Sequence, residues 1–232
     1  MSGWLETYRG IVYRWEVDHN DHLTVAFYFA RLGDAAHGLL NALGLGLEYA
    51  RRRGGLCLTT DCYVRYQREL RVGDIMHITS GVLGVERDGL VLGHKVFNSE
   101  TGEVCTTVEQ RLRHVEARRR TARALTPAQR RAAEQRRVDW DGPPRERGPR
   151  PAGLEGFRDS GRETVKPDEI DVFGQVGLMH YIHRFSAANG HVTAAFGITP
   201  GYMRTERRGF STFEFQLEVG GGLRLLEDLI PV

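Results

Sequence analysis

The sequence lacks the features that mark secreted, membrane-spanning and metal-centred proteins. Its 232 residues include only three cysteines, Cys57, Cys62 and Cys105, whose number and spacing suit neither a disulfide framework nor a structural zinc site. No apolar run reaches the roughly 18 residues that a membrane-spanning helix needs. The N-terminus also lacks the basic-then-apolar layout of a signal peptide. These absences predict a cytoplasmic protein without a metal site and without a membrane partner.

Lysine is almost missing as well, since Lys95 and Lys166 are the only lysines among 32 basic residues. Thirty acidic residues nearly balance them, and the net charge is +2. The overall charge therefore gives no reason to expect a nucleic-acid partner. The arginines are unevenly spread, because residues 111–150 hold thirteen of them. We interpret the arginines within residues 118–156 as part of a solvated linker, with an anion-binding arm as the alternative.

Residues 118–156 have the composition of a connector between two domains. Apolar periodicity stops there, and proline and glycine punctuate the chain. One short helix is predicted inside it, because Thr126 can cap a helix, Pro127 suits its first position and Gln129 completes a capping box. The sequence thus divides into a first domain (1–117), a connector (118–156) and a second domain (157–232).

The two flanks of the connector repeat each other. When residues 15–45 are shifted by 153 positions onto 168–198, seven positions are identical. The identical pairs are Glu16/Glu169, Asp18/Asp171, Tyr28/Tyr181, Arg31/Arg184, Ala35/Ala188, Ala42/Ala195 and Gly44/Gly197. Self-similarity at one offset indicates two copies of one supersecondary unit.

The first copy predicts the element order β-α-β-β-β-β. The predicted strands are Tyr8–Val17, Leu56–Arg68, Ile75–Glu86, Leu90–Asn98 and Glu103–Val115. Between the first two strands lies a helix that Thr24 caps and Gly44 ends. Apolar residues cover most of its circumference, which is typical of a helix that a sheet wraps. The second copy ends opposite Ile78, without counterparts of the last three strands, so we expect an incomplete sheet with an open edge.

The best candidate for chemistry is the loop of residues 18–22, between the first strand and the helix. A carboxylate there, such as Asp18, can activate water or attack a carbonyl. The first N–H groups of the helix can hold the resulting oxyanion. This combination suits acyl transfer. From the residues alone the alternative stays open that Asp18 and its neighbours only cap the helix and shape the loop.

The segment DHNDHLTVAFY, residues 18–28, resembles the signature of hotdog-fold acyl-CoA thioesterases of the 4-hydroxybenzoyl-CoA thioesterase type. Asp18, His22 and Tyr28 match that signature, and residues 66–74 resemble a strand-ending segment of members linked with carnitine and betaine breakdown. The resemblance implies an α+β class built of tandem hotdog folds, each an antiparallel sheet around one long central helix, the second apparently truncated. It also implies active sites at the seam between paired units.

The resemblance further implies that Asp18 is the general base or nucleophile acting on an acyl-CoA thioester. Coenzyme A would enter as part of the substrate, with no other cofactor, and the protein would be a homodimer or higher homo-oligomer. By this reasoning the catalytic candidates are Asp18, His22 and Asp171. The substrate-binding candidates are Asn20, Asp21, Thr24, Tyr28, Gly174, Gln175 and Tyr181.

Each copy departs from the family pattern. Asp21 stands where the family has glycine, and Thr24 where it has asparagine. In the second copy Gly174 matches, but Gln175 replaces the histidine and Gly177 the asparagine. One active site, or two unequal ones, is therefore as consistent with the sequence as two equal ones.

Three other functions stay open on the sequence. A hotdog acyl-CoA hydratase or dehydratase is disfavoured, because His22 follows Asp18 by four positions instead of five and no proline lies between them. A non-catalytic acyl-CoA-binding module is favoured by the departures at Asp21 and Gln175. Nucleic-acid binding through the arginine-rich connector would show steep salt dependence, and we do not expect it.

Overall fold

The computed structural model describes residues 3–18, 20–145, 153, 155–156, 160–171, 174–220 and 229–231. The chain divides into two units. The first combines Met1–Pro143 with Thr212–Gly221, and the second combines Pro144–Ser211 with Gly222–Val232. His19 of the candidate loop and residues 146–152 of the predicted connector lie outside the described residues.

The elements are numbered here along the chain. The strands are β1 (Leu5–Ile11), β2 (Gly55–Tyr66), β3 (Ile75–Val85), β4 (Gly89–Asn98), β5 (Val104–Glu116), β6 (Arg162–Thr164), β7 (Glu214–Glu218) and β8 (Leu229–Pro231). The helices are α1 (Val25–Ala42), α2 (Leu47–Arg53), α3 (Pro127–Glu134), α4 (Leu178–Ala195) and α5 (Pro200–Glu206), and 3-10 turns occupy Arg14–Glu16 and Pro167–Glu169.

A six-stranded antiparallel sheet, in the order β1-β3-β4-β5-β2-β7, packs against helix α1 in the first unit. The helix contributes Leu32 and Leu39, and the sheet contributes Ile78, Leu92 and Val96, all at most 1% exposed. Full burial of such side chains contributes roughly 1.5–3 kcal/mol each. The α+β class predicted from the sequence, an antiparallel sheet against one long helix, is confirmed.

The first strand requires a correction. The sequence places it at Tyr8–Val17, but β1 ends at Ile11 and the chain then turns into the 3-10 turn. The Val12 N–H donates to the Asp74 carbonyl at 3.0 Å, which ends the strand against the neighbouring loop. The Tyr13 N–H donates to the carboxylate of Glu16 at 3.0 Å, which bends the chain toward α1.

The segment after β5 packs on the first unit as far as Pro143. The predicted short helix is confirmed as α3, with the capping box of Thr126 and Gln129 formed. Leu125 and Ala133 are buried under it. Residues 136–138 then run parallel to β3, where the Val82 N–H donates to the Arg136 carbonyl at 2.9 Å. Over this length only Leu125 and Ala133 are buried, while Arg118, Arg119, Arg120, Arg131 and Arg137 are exposed to solvent.

The described elements of the second unit correspond to part of the element order of the first. Its 3-10 turn, α4 and α5 lie 153 residues after the turn, α1 and α2. Strand β6 pairs with β8 as β1 pairs with β3. Among the described residues no counterparts of β4 and β5 are formed, and only Ile182 and Arg184 of α4 are buried. Helix α4 is thus far less covered than α1.

Strand β7 follows α5 in the second sequence repeat, yet it joins the sheet of the first unit. It pairs antiparallel with β2, with Cys62 opposite Leu217 and Tyr63 opposite Gln216. A shift of 154 residues superposes Leu217 on Tyr63 and Gln216 on Cys62. Cys62 therefore faces the counterpart of Tyr63, and Tyr63 faces the counterpart of Cys62, about a local two-fold centre between the two strands.

Candidate active site

The candidate loop is a tight turn built around the carboxylate of Asp18. Its Oδ1 accepts the backbone N–H of Asn20 at 2.8 Å and that of His22 at 3.0 Å. The Asp18 N–H donates to the His22 carbonyl at 2.9 Å, and the Asp21 N–H donates to the Asp18 carbonyl at 3.2 Å. Asp18 is partly buried, so its side chain shapes the loop and remains accessible beside the start of α1.

Asp21 occupies a left-handed backbone conformation, with φ of 62°. Its counterpart Gly174 has φ of 74°. Glycine adopts this conformation freely, and aspartate and asparagine tolerate it better than most residues. The position therefore requires the left-handed backbone conformation, which aspartate can adopt. Arg14 forms an ion pair with Asp21, and both side chains are largely exposed.

The segment after β2 lies directly beside this loop. The Leu23 N–H donates to the Leu70 carbonyl at 2.7 Å, and His22 forms an isolated bridge with Arg71. The His22 Nε2 lies 2.9 Å from the Glu69 carboxylate, an ion pair when the imidazole is protonated. The two segments that carry the sequence resemblance are thus in contact. Glu69 was not singled out from the sequence, although it lies within the second of those segments.

Thr24 stands at the N-cap position of α1, as the sequence predicts, but its side chain makes no capping hydrogen bond. Its backbone N–H donates to the Glu16 carbonyl at 2.9 Å, and its carbonyl accepts the Phe27 N–H at 3.0 Å. The hydroxyl oxygen is buried and has no hydrogen-bond partner within the described part of the chain. The start of α1 is therefore held by backbone contacts.

Tyr28 is only 4% exposed. Its ring packs edge to face against that of Tyr66, with centroids 5.2 Å apart. Burial raises the pKa of both phenols. In the first unit Tyr28 thus stands in the core behind the loop, whereas its counterpart Tyr181 is partly buried. A role for either in substrate binding stays a prediction.

The second copy builds the same loop around Asp171. The Asp171 N–H donates to the Gln175 carbonyl at 2.7 Å, and the Gly174 N–H donates to the Asp171 carbonyl at 3.0 Å. The Gln175 N–H donates to Asp171 Oδ1 at 3.0 Å. Each of these bonds has a counterpart 153 residues earlier, so the two carboxylates stand in equivalent loops.

A buried ion pair lies beneath each loop. Glu16 pairs with Arg31 of α1, and Glu169 pairs with Arg184 of α4 at 2.6 Å. Burial by itself would raise the pKa of Glu169, but hydrogen bonds from Arg184 and from the Lys166 N–H outweigh it and lower the pKa. The signal for these pairs was in the sequence, as identities at the same offset, but spacing alone does not show that the side chains meet.

The loop built around the Asp18 carboxylate leads into an 18-residue helix, whose first N–H groups carry partial positive charge. Such an arrangement suits attack on a carbonyl whose oxygen becomes negative. Within the described residues no group of three histidine, cysteine, aspartate or glutamate side chains could hold a metal ion. None of the described helices is both long and apolar enough to cross a membrane.

Comparison with known proteins shows a family match and similar curated relatives. The sequence profile of the thioesterase-like superfamily matches residues 12–140. The chain is 33% identical over 127 residues to an L-carnitine dehydrogenase/betainyl-CoA thioesterase of Agrobacterium fabrum, covering 55% of this chain and 26% of the relative. It is 30% identical over 115 residues to a betainyl-CoA thioesterase of Pseudomonas aeruginosa, covering 50% of this chain and 72% of that protein.

A solved structure matches nearly the whole chain. The acyl-ACP thioesterase of Bacteroides thetaiotaomicron aligns with a TM-score of 0.73 at 14% identity, over 96% of this chain and 83% of that one. At this identity the similarity shows the fold. The chain spans about a quarter of the Agrobacterium relative's length.

Proposed function

Because this chain belongs to the thioesterase-like superfamily, we propose that it hydrolyses an acyl-CoA thioester. The observation that carries the proposal is the partly buried Asp18 carboxylate in the loop that leads into α1, inside the stretch that the superfamily profile matches. The betainyl-CoA thioesterases among its relatives support a coenzyme A ester as the substrate. Coenzyme A enters as part of that substrate, and we propose no other cofactor.

In the proposed mechanism, Asp18 acts through Oδ2, the oxygen that the two loop hydrogen bonds do not use. It removes a proton from water as the water attacks the thioester carbonyl, or it attacks that carbon itself. On the first route the C–S bond breaks and the coenzyme A thiolate takes up the proton that Asp18 removed from water. On the second route the thiolate leaves as an acyl-aspartyl anhydride forms. Water then hydrolyses the anhydride, which releases the acid, regenerates Asp18 and supplies a proton to the thiolate. General-base action of this kind contributes roughly 10²–10⁴ in rate.

The N–H groups at the start of α1 stabilise the oxyanion in this mechanism. A single oxyanion donor contributes roughly 10²–10³ in rate. His22 contacts both the catalytic loop and the segment after β2, because its N–H donates to Asp18 and its ring pairs with Glu69. We propose that this pairing keeps the imidazole beside the reacting carbonyl. The matching loop around Asp171 supports a second carboxylate of the same kind.

For the acyl group we propose a cationic, betaine-like acid. The relatives named for betainyl-CoA support this choice. So does an exposed aromatic pair three to five residues before Asp18: Tyr13 and Trp15 stack with centroids 4.5 Å apart, and Trp15 is 71% exposed. An aromatic face attracts a quaternary ammonium group by roughly 0.5–2 kcal/mol.

The proposal is tested by thiol release from betainyl-CoA, a neutral isosteric acyl-CoA, a long-chain ester and an aromatic ester. Wild type is compared with Asp18→Asn, Asp171→Asn and the double variant. We expect turnover on at least one ester, highest for the cationic one, and a loss of at least about 100-fold when the working carboxylate is removed. Binding of every ester without thiol release would instead establish a non-catalytic acyl-CoA-binding module.

We further propose a cytoplasmic protein that forms a homodimer or higher oligomer. Strand β7 already covers the edge of β2, so such an assembly would use another surface of the chain.

A further inference from the structure

We propose that the buried Glu16–Arg31 pair is the positioning device of the Asp18 loop, and that Glu169–Arg184 does the same for the Asp171 loop. The inference rests on the proposed function for its kinetic consequence. Its geometric part, that the ion pair fixes the loop against the helix, can be tested without turnover.

Glu16 is held at three points, two residues before Asp18. One carboxylate oxygen accepts from Arg31, and the other accepts the Tyr13 N–H at 3.0 Å. Its carbonyl accepts the N–H of Thr24, the N-cap residue of α1, at 2.9 Å. Glu16 itself is 3% exposed. The chain therefore enters the loop from a residue with almost no freedom.

Through its ion pair, Arg31 connects Glu16 to the body of helix α1. It lies seven residues after Thr24, which is about two helical turns, beyond the end that frays most readily. Its guanidinium also lies 5.5 Å from the ring centroid of Tyr8 on β1. The Arg31 side chain thus connects the first strand, the turn before the loop and the helix that follows the loop.

The second repeat preserves this arrangement in detail. The Lys166 N–H donates to the Glu169 carboxylate at 3.1 Å, and the Gly177 N–H donates to the Glu169 carbonyl at 2.9 Å. Arg184 also donates to the His180 carbonyl at 3.1 Å. Many neighbouring positions differ between the copies, yet the glutamate, the arginine and the loop aspartate recur together.

A gain in folding stability does not by itself explain why a buried ion pair is present at this position. Removing two charges from water costs several kcal/mol per ion, and well-packed apolar replacements are often as stable or more so. A buried pair does impose one geometry, because the planar guanidinium accepts few orientations of its partner. At an active site that matters, since a displacement of about 1 Å can cost roughly 100-fold in rate.

The decisive variants remove both charges of a pair: Glu16→Gln with Arg31→Met, and Glu169→Gln with Arg184→Met. In the first pair a single substitution would leave a buried charge without its partner, at a cost of about 3–5 kcal/mol, and would risk unfolding. In the second pair Lys166 also lies 3.6 Å from Glu169 and Glu163 lies 3.7 Å from Arg184, so only the double variant removes the buried pair as a whole. The matched control is Glu48→Gln with Arg52→Met, which removes an exposed ion pair of 2.9 Å on α2.

We expect at least one buried-pair double variant to fold, by circular dichroism and thermal melting, and to lose about 10- to 100-fold in kcat with a change in KM below about threefold. The control should keep wild-type kcat. The pair whose removal lowers kcat identifies the repeat that supplies the working carboxylate. Wild-type kcat in both buried-pair variants, whatever their melting temperatures, would reduce the pairs to structural features and overturn the inference.

Amide hydrogen exchange separates this inference from the proposed function. The N–H groups of Asn20 and His22 donate to Asp18, and that of Gln175 donates to Asp171. Removing a pair should accelerate exchange at the loop it holds at least tenfold more than at the core strands. Unchanged exchange in the loops would overturn the positioning role even if the protein proves to be a thioesterase. Accelerated exchange would support it even if no ester is hydrolysed.

Discussion

At the scale of single residues, two different residue types adopt the same backbone conformation in the two loops. Both copies need a left-handed residue three positions after the aspartate, and they use Asp21 and Gly174. Asp21 brings a negative charge close to where an oxyanion would form. Its pairing with Arg14 reduces that charge only partly, because exposed ion pairs are screened by solvent.

Asp21→Asn is expected to raise kcat, by roughly two- to tenfold, because a like charge within several ångströms opposes the oxyanion by about 1 kcal/mol in a solvated site. Asparagine tolerates the left-handed conformation, so the loop should be retained. The measurement is kcat on the best ester of the panel, with unfolding free energy measured alongside.

Asp21→Gly is the matched comparison, since it removes the same charge and also relieves the backbone. If charge is the cause, asparagine and glycine should raise kcat alike. A gain with glycine alone would assign the effect to backbone conformation, and no gain with either would contradict the electrostatic account.

The sequence was sufficient to recognise the local motif, but it did not show which side chains contact one another. The match at Asp18, His22 and Tyr28 was sufficient to suggest the family, which the superfamily match now shows. The partners of those residues were hidden, because Glu69 lies 47 positions from His22 and reaches it only through the register of the β2–β3 loop. The repeat identities mark Glu16 and Arg31, but they do not show that the two side chains meet.

At the scale of elements, local signals predicted helices better than strand ends. Helix α1 starts directly after Thr24 and ends two residues before Gly44, since caps and apolar periodicity are properties of adjacent residues. Strand β1 was misplaced, because its apolar residues continue to Val17 while its partner β3 starts at Ile75, opposite Ile11. The short helix α2 has three consecutive arginines and little apolar pattern, and it was not predicted.

The β2–β7 pairing makes a prediction about an edge strand. The Tyr66 N–H donates to the Phe213 carbonyl, and the Val219 N–H donates to the Thr60 carbonyl. Because hydrogen-bonded positions alternate in an antiparallel ladder, Phe215 lies at a bonded position and Gln216 does not. Phe215→Pro should therefore detach β7 and expose the β2 edge.

We expect the Phe215→Pro protein to self-associate with rising concentration, measured as an increase in mass by light scattering. Gln216→Pro places the same residue where the N–H is outside the ladder, and it should leave the mass unchanged. Phe215→Val keeps the ladder but removes the ring that contacts Phe29. An unchanged mass for the Phe215→Pro protein would show that β7 does not protect this edge, and an equal increase for Gln216→Pro would show that the effect does not depend on the ladder hydrogen bond.

At the scale of the whole molecule, the first unit contains a continuous buried chain of polar side chains. The Thr7 and Ser80 hydroxyls are 2.6 Å apart, and Ser80 lies 2.7 Å from His94 Nδ1. The His94 Nε2 is 3.1 Å from Gln110 Oε1, and the Gln110 amide donates to Thr59 at 2.8 Å. This series of hydrogen-bonded side chains crosses five strands, so its protonation state affects the sheet as a whole.

His94 is fully buried, and burial lowers its pKa from 6.5 to about 4. The glutamine oxygen at Nε2 requires a proton on that nitrogen, so the neutral ring accepts from Ser80 at Nδ1 and donates to Gln110. Below pH 6.5 His94 binds a proton in the unfolded chain, whereas its buried ring stays neutral in the folded protein. Stability is therefore full above about pH 6.5 and falls as the pH decreases toward 4, by roughly 3 kcal/mol from this residue.

Urea unfolding at intervals from pH 7.5 to 4.5 measures this loss, and His94→Gln isolates its source. Glutamine can still accept from Ser80 and donate to Gln110, but it does not titrate, so the variant should lose less stability than wild type over the same range. His114, whose pKa burial also lowers, acts in the same direction and should leave a residual slope in the variant. Equal slopes for the two proteins would mean that protonation of His94 does not set the acid limit of this fold.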